Sequence, residues 1–220
     1  MFIQKLLKFL FFFLIVKPYI YIILGVNVSG VDNFPKISKG ANIIVANHNS
    51  HIDTLLLMSL FSCHQVLKIH PVAAADYFCN TKFKSFIFKT ILGLIPIQRK
   101  ITRETTKEEL FKGINEALRA GETIIIYPEG TRGDDSSIKN FKSGIAHIAQ
   151  MNPDVPITPF YINGPDRILP RGAFLWVPFI ADVYAAEPIK YDGTPTKVFT
   201  ERIKHAVEQL KEEHKKKEDL

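Results

Sequence analysis

Beyond residue 40 the chain alternates short unbroken apolar runs with longer stretches in which apolar positions return every three or four residues. The unbroken runs are ANIIVAN (41–47), HPVAAAD (70–76), LIPIQR (94–99), ETIIIYPE (122–129) and VPITPFYI (155–162). Each reads as a strand, and those with no polar alternation as strands covered on both faces. FLWVPFIADVYAAEPI (174–189) reads as a longer extended stretch or a hairpin. The periodic stretches predict helices over 50–61 with Ser50 as N-cap, 84–94, 103–121 closed by Gly121, 143–152 and 196–217. Strand alternating with helix predicts an α/β fold, a three-layer sandwich around a mostly parallel central sheet.

The first 26 residues break this rhythm. Two apolar runs, Phe9 to Val16 and Tyr19 to Val26, flank Lys17-Pro18. A bilayer-spanning helix needs roughly 20 apolar residues, and one uninterrupted span would put a lysine and a proline near mid-membrane. A cleaved signal peptide fits poorly, because no small-residue cleavage site follows. The pattern predicts two short helices breaking at Pro18 and sunk into one leaflet, with Lys5, Lys8 and Lys17 reaching back to the headgroups. A core hairpin of the soluble domain is the alternative; three consecutive phenylalanines, Phe11 to Phe13, spread apolar surface all round the helix and favour lipid. The expected organisation is a membrane-associating helical hairpin over 1–30 and a catalytic domain over 31–220.

Charge and cysteine content narrow the partners. The 220 residues carry 28 Lys+Arg against 22 Asp+Glu, a formal charge of +6, which favours anionic partners such as phosphates or acidic lipid. The basic residues are dispersed, and the tail KEEHKKKEDL mixes both signs as a solvated helix end does, so no nucleic-acid surface is expected. Cys63 and Cys79 are too few for a disulfide framework and lie in no metal-ligand spacing, which suits a reducing, cytoplasm-facing location.

Two clusters carry candidate chemistry. NHNSHID (47–53) joins the strand at 41–47 to the helix that follows. On one continuous helix His48 and Asp53 would lie about 140° apart. With Ser50 as N-cap, His48 falls in the loop and can fold back onto Asp53 in the first helical turn. One imidazole nitrogen would then meet the carboxylate, leaving the other to accept a proton from a hydroxyl. The competing readings are a plain capping box with solvent-exposed histidines, His51 in place of His48, and a metal site of His48, His51 and Asp53 that lacks a further ligand pair. No metal is expected. The second cluster, YPEGTRG (127–133), follows the most apolar strand, and Arg132 in a tight glycine turn suits bidentate phosphate binding. Lys142 and Ser143 stand at the start of the next helix, whose amides favour an anion.

Together these blocks resemble the PlsC-like glycerolipid acyltransferases over roughly residues 40–165. NHNSHID is similar to the family's NHxSxxD block, which implies His48 as catalytic base and Asp53 as its partner. GLIPIQR resembles the second block, with Gly93 at its start and Arg99 in the acceptor-phosphate position. PEGTR matches the third block, implying acceptor binding by Glu129, Gly130, Thr131 and Arg132. FKSG (141–144) fits the lysine-glycine pattern that follows and adds Lys142. VPITPF resembles the fourth, with Pro156 in the segment associated with the acyl site. Pro96, Gln98 and Gly133 depart from the usual residues and bear on the identity of the acceptor.

The resemblance implies transfer of a fatty acyl group from acyl-CoA or acyl carrier protein to 1-acylglycerol-3-phosphate at a membrane, without a cofactor. Glycerol-3-phosphate, another lysophospholipid or an aminoacyl lyso-lipid are the alternative acceptors. Outside this class stand a hydrolase using Ser50 or Ser143, for which no G-x-S-x-G elbow is present, and a non-catalytic peripheral membrane protein.

Overall fold

The computed structural model describes residues 2–36, 39–50, 52–75, 88–98, 106–131, 133, 138–164 and 180–218. The apolar runs form a seven-stranded sheet: β1 (Gly25–Ser29), β2 (Asn42–Ala46), β3 (Ile69–Ala74), β4 (Ile95–Ile97), β5 (Thr123–Ile126), β6 (Ile157–Asn163) and β7 (Ile180–Ala185). Their spatial order is β1-β7-β6-β2-β5-β3-β4. Every neighbouring pair is parallel except β6 with β7. The region 174–189 thus contributes a single strand among its described residues rather than a hairpin.

Alternation along the central strands divides the core into two faces. Ile44, Ala46, Ile125, Phe160 and Ile162 point to one side, where they pack with Leu56 and Leu57 of α2 (Asp53–Ser59), Val66 of α3 (Cys63–Val66) and the N-terminal helix. Ile43, Val45, Ile124 and Ile126 point to the other. There they meet α5 (Lys112–Arg119), α6 (Gly144–Met151) and α7 (Thr196–Glu218). Buried Phe199, Ile203, Val207 and Leu210 make the inward stripe of α7 at the spacing a helix requires. The helix expected over 103–121 divides at Phe111. Its first part, α4 (Lys107–Leu110), opens on a capping box between Thr106 and Glu109, and Gly121 ends α5 in the left-handed region at φ +74°.

The N-terminus differs from the expected hairpin. Helical backbone runs from α1 (Phe2–Phe11) through wide π-turns at Phe12–Val16 and Tyr19–Ile23, and Pro18 lies inside it with helical φ −55° and ψ −43°. Hydrogen bonds over five residues, Lys17 N–H to Phe12 O and Leu24 N–H to Tyr19 O, replace the four-residue ladder that proline interrupts. Lys8, Phe12, Val16, Ile20 and Leu24 form one buried stripe with a strict spacing of four. A regular α-helix would rotate this stripe by about 160° over its length, and the wide turns keep it facing the sheet.

Lys8 therefore does not reach toward headgroups. It is 4 % exposed and donates to Ile69 O at 2.6 Å. The opposite surface of the helix leaves Phe2, Ile3, Phe13, Leu14, Ile15 and Ile22 in the open, Ile22 at 81 %. Among the described residues no helix is long and apolar enough to cross a membrane. Immediately after the helix, Gly25–Ser29 pairs in parallel with Ile180–Tyr184. The sheet thus begins inside the stretch assigned to the hairpin, because a short alternation fused to an apolar run carries no turn signal of its own.

Candidate active site

The carboxyl ends of β2 and β5 are adjacent, and the two motif loops leave the sheet side by side. Asn47 locks the first loop at its root: its side chain donates to Ile162 O and accepts from Ile162 N–H, both at 2.8 Å. The next residue is held by the second loop. His48 N–H donates to Glu129 Oε1 at 2.9 Å, and His48 O accepts from Gly133 N–H at 2.7 Å.

The expected fold-back is present. His48 Nδ1 lies 2.9 Å from Asp53 Oδ2, with the imidazole 22 % exposed and the carboxylate 1 %. The same oxygen accepts the Asn49 and Ser50 amides at 2.8 Å each, while Asp53 Oδ1 is buried without a hydrogen-bond partner. Asp53 thus closes its own loop as well as orienting the histidine. Ser50 is not the N-cap: α2 begins at Asp53, and the buried Ser50 hydroxyl accepts instead from Ile52 N–H at 3.3 Å. Asp53 holds Nδ1, so Nε2 is the nitrogen placed to take a proton.

Tyr127, at the end of β5, was not singled out by sequence. Its ring stacks on His48 with centroids 4.2 Å apart and planes 19° from parallel. Its hydroxyl lies 3.0 Å from Thr54 Oγ1, in the first turn of α2. Burial and the nearby Asp53 charge hold the phenol well above its ordinary pKa, so it stays protonated. An aromatic one residue before PEG was the only available signal, and Thr54 offered none.

Glu129 points inward, only 4 % exposed, toward the His48 backbone. Burial lifts its carboxyl above the usual range, against the opposing pull of the His48 and Lys139 amides. Gly130 has φ +72°, and a side chain there would come within 2.5 Å of Lys142 Nζ, so the lysine lies across the glycine. Lys142 N–H also donates to Pro128 O at 2.9 Å, and Thr131 Oγ1 is 3.5 Å from Lys139 Nζ. His48, Asp53, Glu129, Gly130, Thr131 and Lys142 are thus one neighbourhood.

Pro156 is elsewhere. It precedes β6 at the opposite end of the sheet, where its carbonyl accepts from Ile43 N–H and it borders a cleft of about 570 Å³. The rise of β2 alone separates this end from His48 by roughly 16 Å. The apolar pattern of 155–162 marked a central strand, and a strand's first residue faces away from a site at its carboxyl end. Arg99, Arg132 and His51 lie outside the described residues.

The mostly parallel α/β sheet brings a histidine–aspartate pair and a glycine–lysine loop together at the carboxyl ends of neighbouring strands, where such sheets place ligands. Residues 25–163 match the Acyltransferase family, and the chain belongs to that family. The match opens at the first residue of β1. The chain is 26 % identical over 160 residues to a chloroplastic 1-acyl-sn-glycerol-3-phosphate acyltransferase of Arabidopsis thaliana, covering 70 % of this chain and 40 % of that protein. It is 31 % identical over 122 residues to the 1-acyl-sn-glycerol-3-phosphate acyltransferase of Borreliella burgdorferi, covering 56 % and 45 %. The chain spans about half the length of the curated relatives it matches. Its fold is similar to the crystal structure of the 1-acyl-sn-glycerophosphate acyltransferase PlsC from Thermotoga maritima, with a TM-score of 0.67, 22 % identity, and coverage of 96 % of this chain and 97 % of that one.

Proposed function

We propose that this chain is a membrane-bound O-acyltransferase that moves a fatty acyl group from acyl-CoA or acyl carrier protein to the free hydroxyl of 1-acylglycerol-3-phosphate, giving phosphatidic acid. The observation that carries this reading is the 2.9 Å contact of His48 Nδ1 with a carboxylate already fixed by two backbone amides. Asp53 stabilises the imidazolium that forms when Nε2 takes the acceptor's hydroxyl proton. The acceptor oxygen bonds to the thioester carbon, the carbon–sulfur bond breaks, and the proton passes from Nε2 to the departing thiolate. The dyad follows the histidine–aspartate half of a triad, with the substrate supplying the nucleophile. No cofactor or metal enters this scheme.

Lys142, beside Gly130, and Arg132 and Arg99 are the proposed cations for the acceptor phosphate. The exposed apolar surface of the N-terminal helix is the proposed membrane contact, lying in one leaflet with the site facing the cytoplasm. The similarity to 1-acyl-sn-glycerol-3-phosphate acyltransferases supports the acceptor.

The test is transfer from labelled acyl-CoA to 1-acylglycerol-3-phosphate by the parent and by His48→Ala. Loss of a general base costs about 100-fold or more, so turnover that vanishes in the variant supports the reaction and the base together. A folded parent that is inactive with this acceptor overturns the acceptor or donor assignment; glycerol-3-phosphate, other lysophospholipids, aminoacyl lyso-lipids and acyl carrier protein donors are then compared.

A further inference from the structure

A single hydrogen bond fixes one edge of an imidazole and leaves its plane free. The last torsion of histidine is broad and roughly two-fold, so the His48 ring can tilt about its Nδ1–Asp53 contact, or turn over and lose it. Either motion takes Nε2 away from the direction in which a hydroxyl must approach. Proton transfer depends steeply on that direction, because a general base works only within hydrogen-bond reach of the proton it takes.

The structure holds the plane by a different contact. The Tyr127 ring lies against the His48 face at 4.2 Å and 19°, a parallel stack that opposes tilting of the imidazole, while a ring turned over in the same plane is opposed by loss of the Nδ1–Asp53 contact. Tyr127 is itself held at two points. Its backbone directly follows Ile126, the last residue of β5, and its hydroxyl meets Thr54 Oγ1 in the turn that carries Asp53. The group that orients the ring's edge and the group that supports its face are therefore joined through adjacent residues of one helix. Besides Tyr127, the charged or ionisable groups around His48 among the described residues are Asp53 from α2, Glu129 from the segment after β5 with Lys139 beside it, and Lys142 across Gly130. None of these contacts the face of the ring as Tyr127 does.

We infer that Tyr127 is a positioning residue for His48: its ring is the floor that keeps the imidazole plane from tilting about the Asp53 contact, and the tie to Thr54 is secondary to that stack. The inference rests on the proposed role of His48 as base, and it concerns how that base is held.

An aromatic pair of this kind is worth enough to change the aligned fraction about three- to ten-fold, which sets the expected effect. Tyr127→Leu removes the ring and lowers kcat by that factor with KM nearly unchanged. Tyr127→Phe keeps the stack and restores kcat to within about two-fold of the parent, and Thr54→Val behaves like Tyr127→Phe. Tyr127→Met is the second ringless variant should Tyr127→Leu fail to fold.

A reading that needs no substrate accompanies the kinetics. The Nδ1–H proton of His48, identified by its loss in His48→Ala, gives a downfield NMR resonance in the parent and in Tyr127→Phe. It broadens or disappears in folded ringless variants. A sharp resonance and an unchanged kcat in a folded ringless variant overturn the inference. So does an equal loss in Tyr127→Phe and Tyr127→Leu, or a raised KM at constant kcat, which would make Tyr127 a wall of the substrate site. An inactive parent with the resonance behaviour intact overturns the acyl transfer reading and leaves the positioning role standing.

Discussion

Two histidines in this fold meet a carboxylate at nearly the same distance, at opposite ends of the sheet. His48 Nδ1 lies 2.9 Å from Asp53 at the carboxyl end of β2, and His70 Nε2 lies 3.0 Å from Glu122 at the amino end of β3. Their surroundings give them different work. His48 uses one nitrogen for its carboxylate, and that carboxylate is pinned by backbone amides. His70 spends Nδ1 on Gly93 O at 2.8 Å, and its Nε2 is buried, near Glu122 at 3.0 Å but making no hydrogen bond, while the buried Lys8 sits alongside. Burial, then the Lys8 charge, lowers the His70 pKa against the pull of Gly93 and Glu122. A histidine–carboxylate distance is therefore no signature of catalysis. The distinguishing feature of His48 is that, among the described residues, its second nitrogen has no protein partner at the end of the α/β sheet where ligands bind.

The largest expected contrast between the two sites is catalytic. His48→Ala or Asp53→Asn should lower acyl transfer by about 100-fold or more, whereas His70→Ala should leave kcat within about two-fold and lower the melting temperature instead. A comparable loss of kcat in His70→Ala would erase the distinction.

Glu129→Ala comes next. It strips the His48 amide of its buried acceptor, and a loss of about ten-fold in kcat is expected, from roughly 1–3 kcal/mol of unsatisfied donor. Glu129→Gln retains an acceptor oxygen and should recover most of the rate. A rise in KM alone would return Glu129 to the role of acceptor ligand.

The His70 end should respond to pH through Lys8, whose pKa burial lowers from 10.5 to about 7. Between those values the folded protein holds fewer protons on Lys8 than the unfolded chain, so stability rises with pH from about 7 to about 10 and is lost as pH falls through that window. Lys8→Met leaves Ile69 O without its donor, at a cost of about 1–3 kcal/mol at high pH. The gap between parent and variant in denaturant unfolding should narrow from pH 10 toward pH 7. A gap independent of pH would show that Lys8 is charged in place.

The smallest effect belongs to Gly130→Ala, where the left-handed backbone costs roughly 1–2 kcal/mol and the new methyl displaces Lys142. Its expected mark is a raised KM for the acceptor with a small change in melting temperature.

The strand runs were legible because residues covered on both faces must be apolar throughout: β2, β4 and β5 fall within the runs that predicted them, β3 starts one residue before its run and β6 ends one residue beyond its own. The His48–Asp53 pair was legible because both partners lie in one short loop, where the chain itself brings them together. Tyr127, the His48 backbone clasp and the Glu122 partner of His70 were not, since each joins residues 52 to 85 positions apart through neighbouring strands.

By itself the sequence determined which central segments are buried and which local loop brings His48 and Asp53 together, because apolar periodicity and short loop closure act within a dozen residues. The tertiary structure alone decided that Pro18 stays inside a helix, that Lys8 faces inward, that Pro156 and His48 stand at opposite ends of the sheet, and that a tyrosine lies beneath the imidazole. Those outcomes depend on strand order and direction, which decide which distant residues share an end of the sheet and which apolar stripe finds a surface to cover it.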